Sequence, residues 1–148
     1  MATYKEVSKG GNVTYYINAD EGVVTARIEG NKYEAYHIIT SIVDKLKGSD
    51  RANSPFDAWA DFSSLNTFRM RPYYIGVARC MENDTFDVET GKRIALAKAQ
   101  EKYHSDLKKR LLMMSMYFCE ISQRVERRAL SELEQSRLYR DAYSVEDE

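Results

Sequence analysis

The second half of this sequence constrains the fold most, because no glycine or proline occurs between Gly91 and the last residue, Glu148. Alanines near the start of this stretch, Ala95, Ala97 and Ala99, favour helix. Further along, apolar side chains recur at spacings of 4, 3, 4, 3 and 4 residues: Leu107, Leu111, Met114, Phe118, Ile121 and Val125. Such a seam is typical of a helix that packs against another helix.

The length of this helix raises a question about its packing. A helix from Val88 to Leu130 would be ~65 Å long, which exceeds the width of a compact domain of this size. We therefore expect either a break near residues 104–106 or a helix that projects and packs against another subunit. Ser131 and Glu134 have the spacing of a capping box and could start a short final helix. We expect residues 100–140 to form the interface of a homo-oligomer, with packing inside the chain and a groove for another protein as the alternatives.

The first half of the chain has the period-two pattern of strands. Residues 13–18 and 24–29 each alternate apolar and polar side chains, and turn residues ending in Gly22 separate them. These two segments predict an antiparallel hairpin. Residues 3–7 could add an edge strand.

A helix and two further strands follow the hairpin. Asn31 and Glu34 have capping-box spacing, and apolar residues at helical intervals after them predict a helix over 32–47. Alternation predicts strands over 56–62 and 73–80. The sequence therefore predicts an α+β fold: a small antiparallel sheet of about four strands, a helix after the first hairpin, and a long C-terminal helical region.

Composition places the chain among ordinary globular proteins. It has 148 residues, 43% hydrophobic and 30% charged, which fits a single domain over residues 1–148. No apolar run approaches the ~20 residues that a membrane span requires, so we expect no membrane association. The polar N-terminus has no signal-peptide core, which favours the cytoplasm. We expect two free thiols, Cys80 and Cys119, and neither a metal nor another cofactor, since these cysteines and both histidines are scattered.

Charge is distributed unevenly along the chain. Residues 65–110 carry ten bases and six acids, whereas residues 141–148 carry four acids and no base. We expect the acidic tail over 141–148 to be frayed. The rest of the chain is only mildly basic and its bases are interrupted by acids, which makes a nucleic-acid-binding module unlikely.

Known catalytic signatures are missing from the sequence, so we expect a protein that is not an enzyme. The pair Gly91-Lys92 superficially resembles a P-loop, but Phe86 and Arg93 stand where that motif needs glycine and a hydroxyl residue. Asp57 and Asp61 lie on one face of the predicted third strand, some 13 Å apart at ~3.3 Å per residue. That separation is too large for direct pairing and favours a solvated face.

The start of the long helix is the strongest candidate for a binding site. Asp87 is a good N-cap, and Lys92 and Arg93 lie close to the helix N-terminus, where cations oppose the macrodipole. A bound anion would reverse that effect. The alternative is a solvated basic surface on which Gly91 packs against the sheet. The predicted ligand-binding residues are Arg69, Arg71, Tyr73, Arg79, Phe86, Gly91, Lys92 and Arg93, the aromatic rings being suited to stacking on a base.

The segment Gly76–Ala99 carries a resemblance. It runs from a strand through Cys80, an acidic loop and Phe86-Asp87 to Gly91 and the pair Ile94-Ala95. This pattern resembles a strand–loop–helix segment of small phage-encoded accessory proteins of Gram-positive hosts. Such proteins have His-Pro after the cysteine, where this chain has Met81-Glu82.

The resemblance implies a phage protein that acts against bacterial immunity in the host cytoplasm. Anti-defence proteins of this kind include sponges that sequester the cyclic ADP-ribose-type signal of Thoeris immunity, and anti-CRISPR inhibitors. The first reading predicts a non-enzymatic protein that sequesters a phosphorylated nucleotide signal. The second predicts an inhibitor that binds a defence protein directly, and a structural or nucleic-acid-binding phage protein is a further alternative.

Overall fold

The alternating segments of the first half form a four-stranded antiparallel sheet. The computed structural model of the chain describes residues 3–47, 68–81 and 83–146. The elements are β1 (Thr3–Val7), β2 (Val13–Asn18), β3 (Val23–Glu29), α1 (Glu34–Lys47), β4 (Tyr73–Arg79) and α2 (Val88–Glu146). The strand order in the sheet is β1-β2-β3-β4. The predicted α+β architecture is confirmed, including the edge strand over residues 3–7.

Helix α1 begins where its capping residues place it. The Asn31 side-chain oxygen accepts a hydrogen bond from the backbone N–H of Tyr33 at 3.1 Å. The Asn31 side-chain amide donates to the Glu34 carboxylate at 3.0 Å. Residues 32 and 33 form the turn that this cap requires, so the helix starts two residues later than predicted. The predicted strand over 56–62, with Asp57 and Asp61, lies outside the described residues.

Register assigns each strand residue to one of two faces. Ile17 pairs with Val24, and Val24 pairs with Ala78, so these side chains share one face of the sheet. All three are buried, and they form a core cluster with Ala26 and with Ala95 of α2. Because α2 covers this face, the sheet packs its small apolar side chains against the helix.

Small residues bring the helix close to the sheet. A Cβ added to Gly76 would overlap the carbonyl oxygen of Ala95 and would lie 2.5 Å from the backbone nitrogen of Ala99. Ala95 and Ala99 are themselves fully buried. Two of the alanines that favour helix in the sequence, Ala95 and Ala99, therefore also form the surface on which β4 packs.

Helix α2 is longer than predicted at its C-terminal end. It continues through residues 104–106 without a break, and Ser131 does not start a separate helix. Helix α2 includes residues 141–146 of the acidic tail, and the fraying of that tail stays a prediction. A stretch without glycine or proline offers no residue at which the helix would end.

The chain divides into two compact units, residues 1–111 and 112–148. The first unit contains the sheet, α1 and residues 88–111 of α2, and the second contains the remainder of α2. No helix among the described residues is long and apolar enough to cross a membrane.

Candidate ligand-binding groove

The N-terminus of α2 is occupied by its own capping residue. The Asp87 carboxylate accepts a hydrogen bond from the Thr90 hydroxyl at 2.5 Å. This hydroxyl is the main cause that lowers the pKa of Asp87, assisted by the backbone N–H groups of Glu89 and Thr90. The backbone donors of the first turn are thus directed at a carboxylate of the chain itself. An external phosphate would have to displace that carboxylate.

The glycine of the first turn of α2 packs against the sheet. A Cβ at Gly91 would lie 2.7 Å from Cγ2 of Val24, which is itself fully buried. Phe86 packs against the same core cluster. The missing side chain of Gly91 is therefore explained by the close contact between α2 and β3.

Lys92 is paired with carboxylates rather than free for a ligand. Its ammonium group lies 2.7 Å from the Glu6 carboxylate of β1 and 3.4 Å from Glu89. The hydrogen bond to Glu6 is the main cause that raises the pKa of Lys92. The ammonium also lies 5.2 Å from the centre of the Tyr15 ring. Arg93, the next residue, is exposed.

The eight predicted binding residues do not converge on one site. Arg79, Phe86 and Gly91 line a cleft of about 370 Å³, but Asp84 and Asp87 line it too. These two carboxylates repel a phosphate. Lys92 is paired with Glu6 of β1, while Arg71 and Tyr73 line a different groove. Arg69 lies in the segment that precedes β4.

That different groove has a volume of about 860 Å³ and runs between the outer edge of β4 and α2. We call it the lysine groove and define it by its four cationic lining residues, which are Arg71, Lys98, Lys102 and Lys109. Two acidic residues, Glu101 and Asp106, also line it. The lining is therefore net positive, in contrast to the cleft at the start of α2.

Two of the lysines bind the free edge of the sheet. Lys98 donates to the carbonyl oxygen of Val77 at 3.0 Å, and Lys102 donates to that of Ile75 at 2.7 Å. These carbonyls point away from β3, and no strand within the described ranges pairs with this edge of β4. Both ammonium groups are thus held by neutral acceptors, and no carboxylate in the described part of the chain pairs with them.

One of the two acids in the groove is already engaged. The Tyr74 hydroxyl donates to the Asp106 carboxylate at 2.5 Å, and Arg110 lies 3.3 Å from the same carboxyl group. Burial, followed by this hydrogen bond, raises the pKa of Tyr74 to about 12. The Tyr103 ring meets the Tyr74 ring edge-on, with centroids 5.3 Å apart. This network forms a wall of the groove and leaves Glu101 as the lining acid that opposes the four cations.

Sequence reasoning missed Lys98, Lys102 and Lys109 although a signal was present. Their spacings of four and seven residues place all three on one face of a helix. The predicted seam of this helix includes only apolar residues. These three lysines lie beside the outer edge of β4 because α2 packs on the sheet. The spacing in the sequence does not show that packing.

The predicted interface residues differ in exposure. In the first unit Leu107 and Leu111 are half-buried. In the second unit Met114 is 1% exposed, Phe118 and Ile121 are half-buried, and Val125 is 57% exposed. Two ion pairs follow on the surface of the same helix, Arg124 with Glu120 and Arg128 with Glu132, each at 2.7 Å. The prediction of a subunit interface is untested by these exposures.

Comparisons with protein-family models, with curated proteins and with solved structures give no match. Among the described residues no group of three or more histidine, cysteine or acidic side chains is arranged to hold a metal ion. The lysine groove and its excess of positive charge are therefore the features that bear on function.

Proposed function

We propose that this chain is a non-enzymatic binding protein that sequesters a phosphorylated nucleotide in the lysine groove. In the setting that the resemblance of residues 76–99 implies, it is a phage accessory protein that removes a nucleotide signal of bacterial immunity from the host cytoplasm. The observation that carries the proposal is the placement of Lys98 and Lys102, whose ammonium groups are held by backbone carbonyls at 3.0 and 2.7 Å.

The energetics favour an exchange of partners at these lysines. A hydrogen bond from an ammonium group to a phosphate is worth roughly 1.5–3 kcal/mol and adds an attraction between opposite charges that the bond to a neutral carbonyl lacks. Both lysines are exposed, so a phosphate can reach them without a rearrangement of the backbone. Arg71 and Lys109 line the same groove and supply further donors for a second phosphate.

The decisive variant removes both lysines. Lys98→Ala combined with Lys102→Ala should weaken nucleotide binding at least ~100-fold, because two charge-assisted hydrogen bonds are lost. The matched control is Lys45→Ala combined with Lys108→Ala, which removes the same charge from exposed positions outside the groove lining. A third variant, Lys92→Ala with Arg93→Ala, tests the N-terminus of α2 as the binding site instead.

Binding is measured with a panel of cyclic and linear nucleotides, cyclic ADP-ribose among them. A ligand at a hundredfold excess over its dissociation constant stabilises the fold by ~2.7 kcal/mol, which a melting scan registers. Sequestration also predicts that heat denaturation releases the ligand chemically intact, as mass spectrometry would show. The proposal fails if no nucleotide shifts the melting temperature, or if the groove variant and its control bind alike.

A second candidate function, direct binding of a defence protein, is favoured by the second unit. Five of its large apolar side chains are each more than half exposed: Leu112, Met116, Val125, Leu130 and Leu138. Exposed apolar surface of this kind marks protein interaction sites. One of these five, Val125, also belongs to the heptad seam, which predicts association with a second copy of the chain. Sedimentation of the purified chain measures self-association. A chain that stays monomeric and binds no nucleotide would make direct inhibition the leading function.

A further inference from the structure

The face of the sheet that points away from α2 is a second surface with a distinct chemistry. Cross-strand pairing places alternate residues of all four strands on it, for example Lys5 beside Tyr16 and Arg27 beside Ile75. We call it the open sheet face and define it by six side chains, which are Lys5, Tyr16, Arg27, Tyr73, Ile75 and Arg79. Helix α2 packs on the opposite face, where the core cluster lies.

Aromatic and apolar side chains are exposed on this face. Tyr16 is 38% exposed and Tyr73 is 43% exposed. Ile75 lies beside them on β4 and is 36% exposed. The guanidinium of Arg27 lies over the Tyr73 ring, 4.3 Å from its centre, which supports the ring from one side.

The open sheet face carries more positive than negative side chains. Lys5, Arg27 and Arg79 are its cations, and Glu29, which pairs with Tyr73, is the acidic side chain that register places among them. The whole chain has a formal net charge of −1. The excess of positive charge is therefore a property of this face and not of the composition.

We propose that the open sheet face stacks the bases of a single-stranded nucleic acid whose phosphates reach the lysine groove. Aromatic rings exposed on a sheet face and interspersed with cations match the two recognition elements of a single strand, its bases and its backbone. Tyr73 and Ile75 line the groove as well, so β4 is common to both surfaces. The contact of the phosphates with the lysine groove rests on the proposed function. The inference adds that the ligand is an oligonucleotide.

The spacing of the two tyrosines indicates more than one base. Tyr16 pairs with Thr25, and Tyr73 pairs with Glu29, so the tyrosines are two strands apart and four residues apart along β3. With ~4.8 Å between strands and ~3.4 Å per residue, their Cα atoms are about 17 Å apart. A mononucleotide cannot contact both rings, whereas a short oligonucleotide can.

The test measures binding of fluorescent oligo-dT and oligo-U of about 12 nucleotides, a length within the site sizes of single-strand binders. Tyr16→Ala and Tyr73→Ala should each weaken oligonucleotide binding about 5- to 150-fold, the equivalent of the ~1–3 kcal/mol that stacking on one aromatic ring contributes. Tyr16→Ala should not affect a mononucleotide bound in the groove, because Tyr16 does not line it. The matched control is Tyr4→Ala, since Tyr4 is 48% exposed and lies on the opposite face of β1.

Salt dependence separates the two surfaces. Lys98→Ala with Lys102→Ala should reduce the steepness of the plot of log affinity against log salt by roughly 1.4, because each phosphate contact on a single strand contributes about 0.7. The tyrosine variants should leave that slope unchanged. A preference for oligo-U over oligo-dT would identify RNA as the strand, and the opposite preference would identify DNA.

Failures of the two proposals are distinguishable. If a mononucleotide binds in the groove but oligonucleotides bind no more tightly, the open sheet face is not a base platform and the proposed function stands. If the tyrosine variants bind oligonucleotides as the wild type does, the inference is also overturned. If neither mononucleotides nor oligonucleotides bind, both proposals fail. If the open sheet face instead mediates self-association, Tyr16→Ala changes the sedimentation of the chain without affecting oligonucleotide affinity, which again overturns the inference.

Discussion

Removal of the Tyr74 hydroxyl should destabilise the first unit. The hydroxyl donates to Asp106 at 2.5 Å and accepts the backbone N–H of Arg71 at 3.1 Å. The residue is 4% exposed, so water cannot replace these partners easily. Tyr74→Phe keeps the ring in its edge-on contact with Tyr103 and removes only the hydroxyl. The change therefore isolates one hydrogen-bonding group in an otherwise unchanged packing environment.

The expected cost follows from the two lost bonds. A hydrogen bond to a charged carboxylate contributes roughly 1.5–3 kcal/mol, and a buried donor left without a partner costs about 1–3 kcal/mol. Asp106 keeps its ion pair with Arg110 in the variant. We therefore expect Tyr74→Phe to lower the free energy of unfolding by about 2–4 kcal/mol, near the low end of the summed costs. The control is Tyr73→Phe, the adjacent residue, which is 43% exposed and should change stability by under ~0.5 kcal/mol.

Urea unfolding followed by circular dichroism measures both variants, and pH adds a second readout. The pKa of Tyr74 is raised from 10.0 to about 12 in the folded chain. Above pH 10 the unfolded chain loses this proton first, so the stabilisation is present below pH 10 and is lost between pH 10 and about 12. The stability difference between wild type and Tyr74→Phe should therefore narrow over that interval. Equal stabilities of the two phenylalanine variants at neutral pH would refute the assigned role of the hydroxyl.

Three further perturbations have outcomes that the structure sets. Gly76→Val should prevent the native packing of α2 on the sheet, because even a Cβ at this position would lie 2.5 Å from the backbone nitrogen of Ala99. A cooperative thermal melt like that of the wild type would contradict this prediction. Glu6→Gln should lower the free energy of unfolding by only about 0–1 kcal/mol, because its bond to Lys92 is exposed, and the loss should shrink in high salt. Val125→Asp should dissociate any oligomer formed through the seam without lowering the melting temperature of the first unit, which contains the sheet. An unchanged sedimentation coefficient would show that Val125 does not lie in an interface.

The placement of Lys92 illustrates why the binding site was not predictable in detail. In the sequence, Lys92 and Arg93 follow an N-cap and look like a pair of cations at the positive end of a helix. In the structure, Glu6 reaches Lys92 from β1, a residue separated from it by 86 positions in the chain. Charge pairing over such a separation depends on which strand forms the edge of the sheet nearest the helix, and no local pattern carries that information.

The lysine groove shows the reverse case. Lys98 and Lys102 are visible in the sequence as a helical pair, but their importance comes from acceptors on β4 with which no strand of the described ranges pairs. The mild net charge of the chain also conceals the separation of charge between the two faces of the sheet, since register decides which cations share a face. The composition argues against a nucleic-acid-binding module, whereas the proposal for the open sheet face depends on the arrangement of Lys5, Arg27 and Arg79 on that face.

The sequence by itself determined the elements of this protein. Period-two alternation specified β2 and β3, and a local cap specified the start of α1, whereas the helix predicted over residues 88–130 continues to Glu146. These are local properties, because backbone conformation responds to neighbours within a few residues. Only the tertiary structure decided which charges are neutralised, which strand edge is left free, and which face of the sheet is open. Those properties arise where α2 packs on the sheet, and that contact joins residues far apart in the chain.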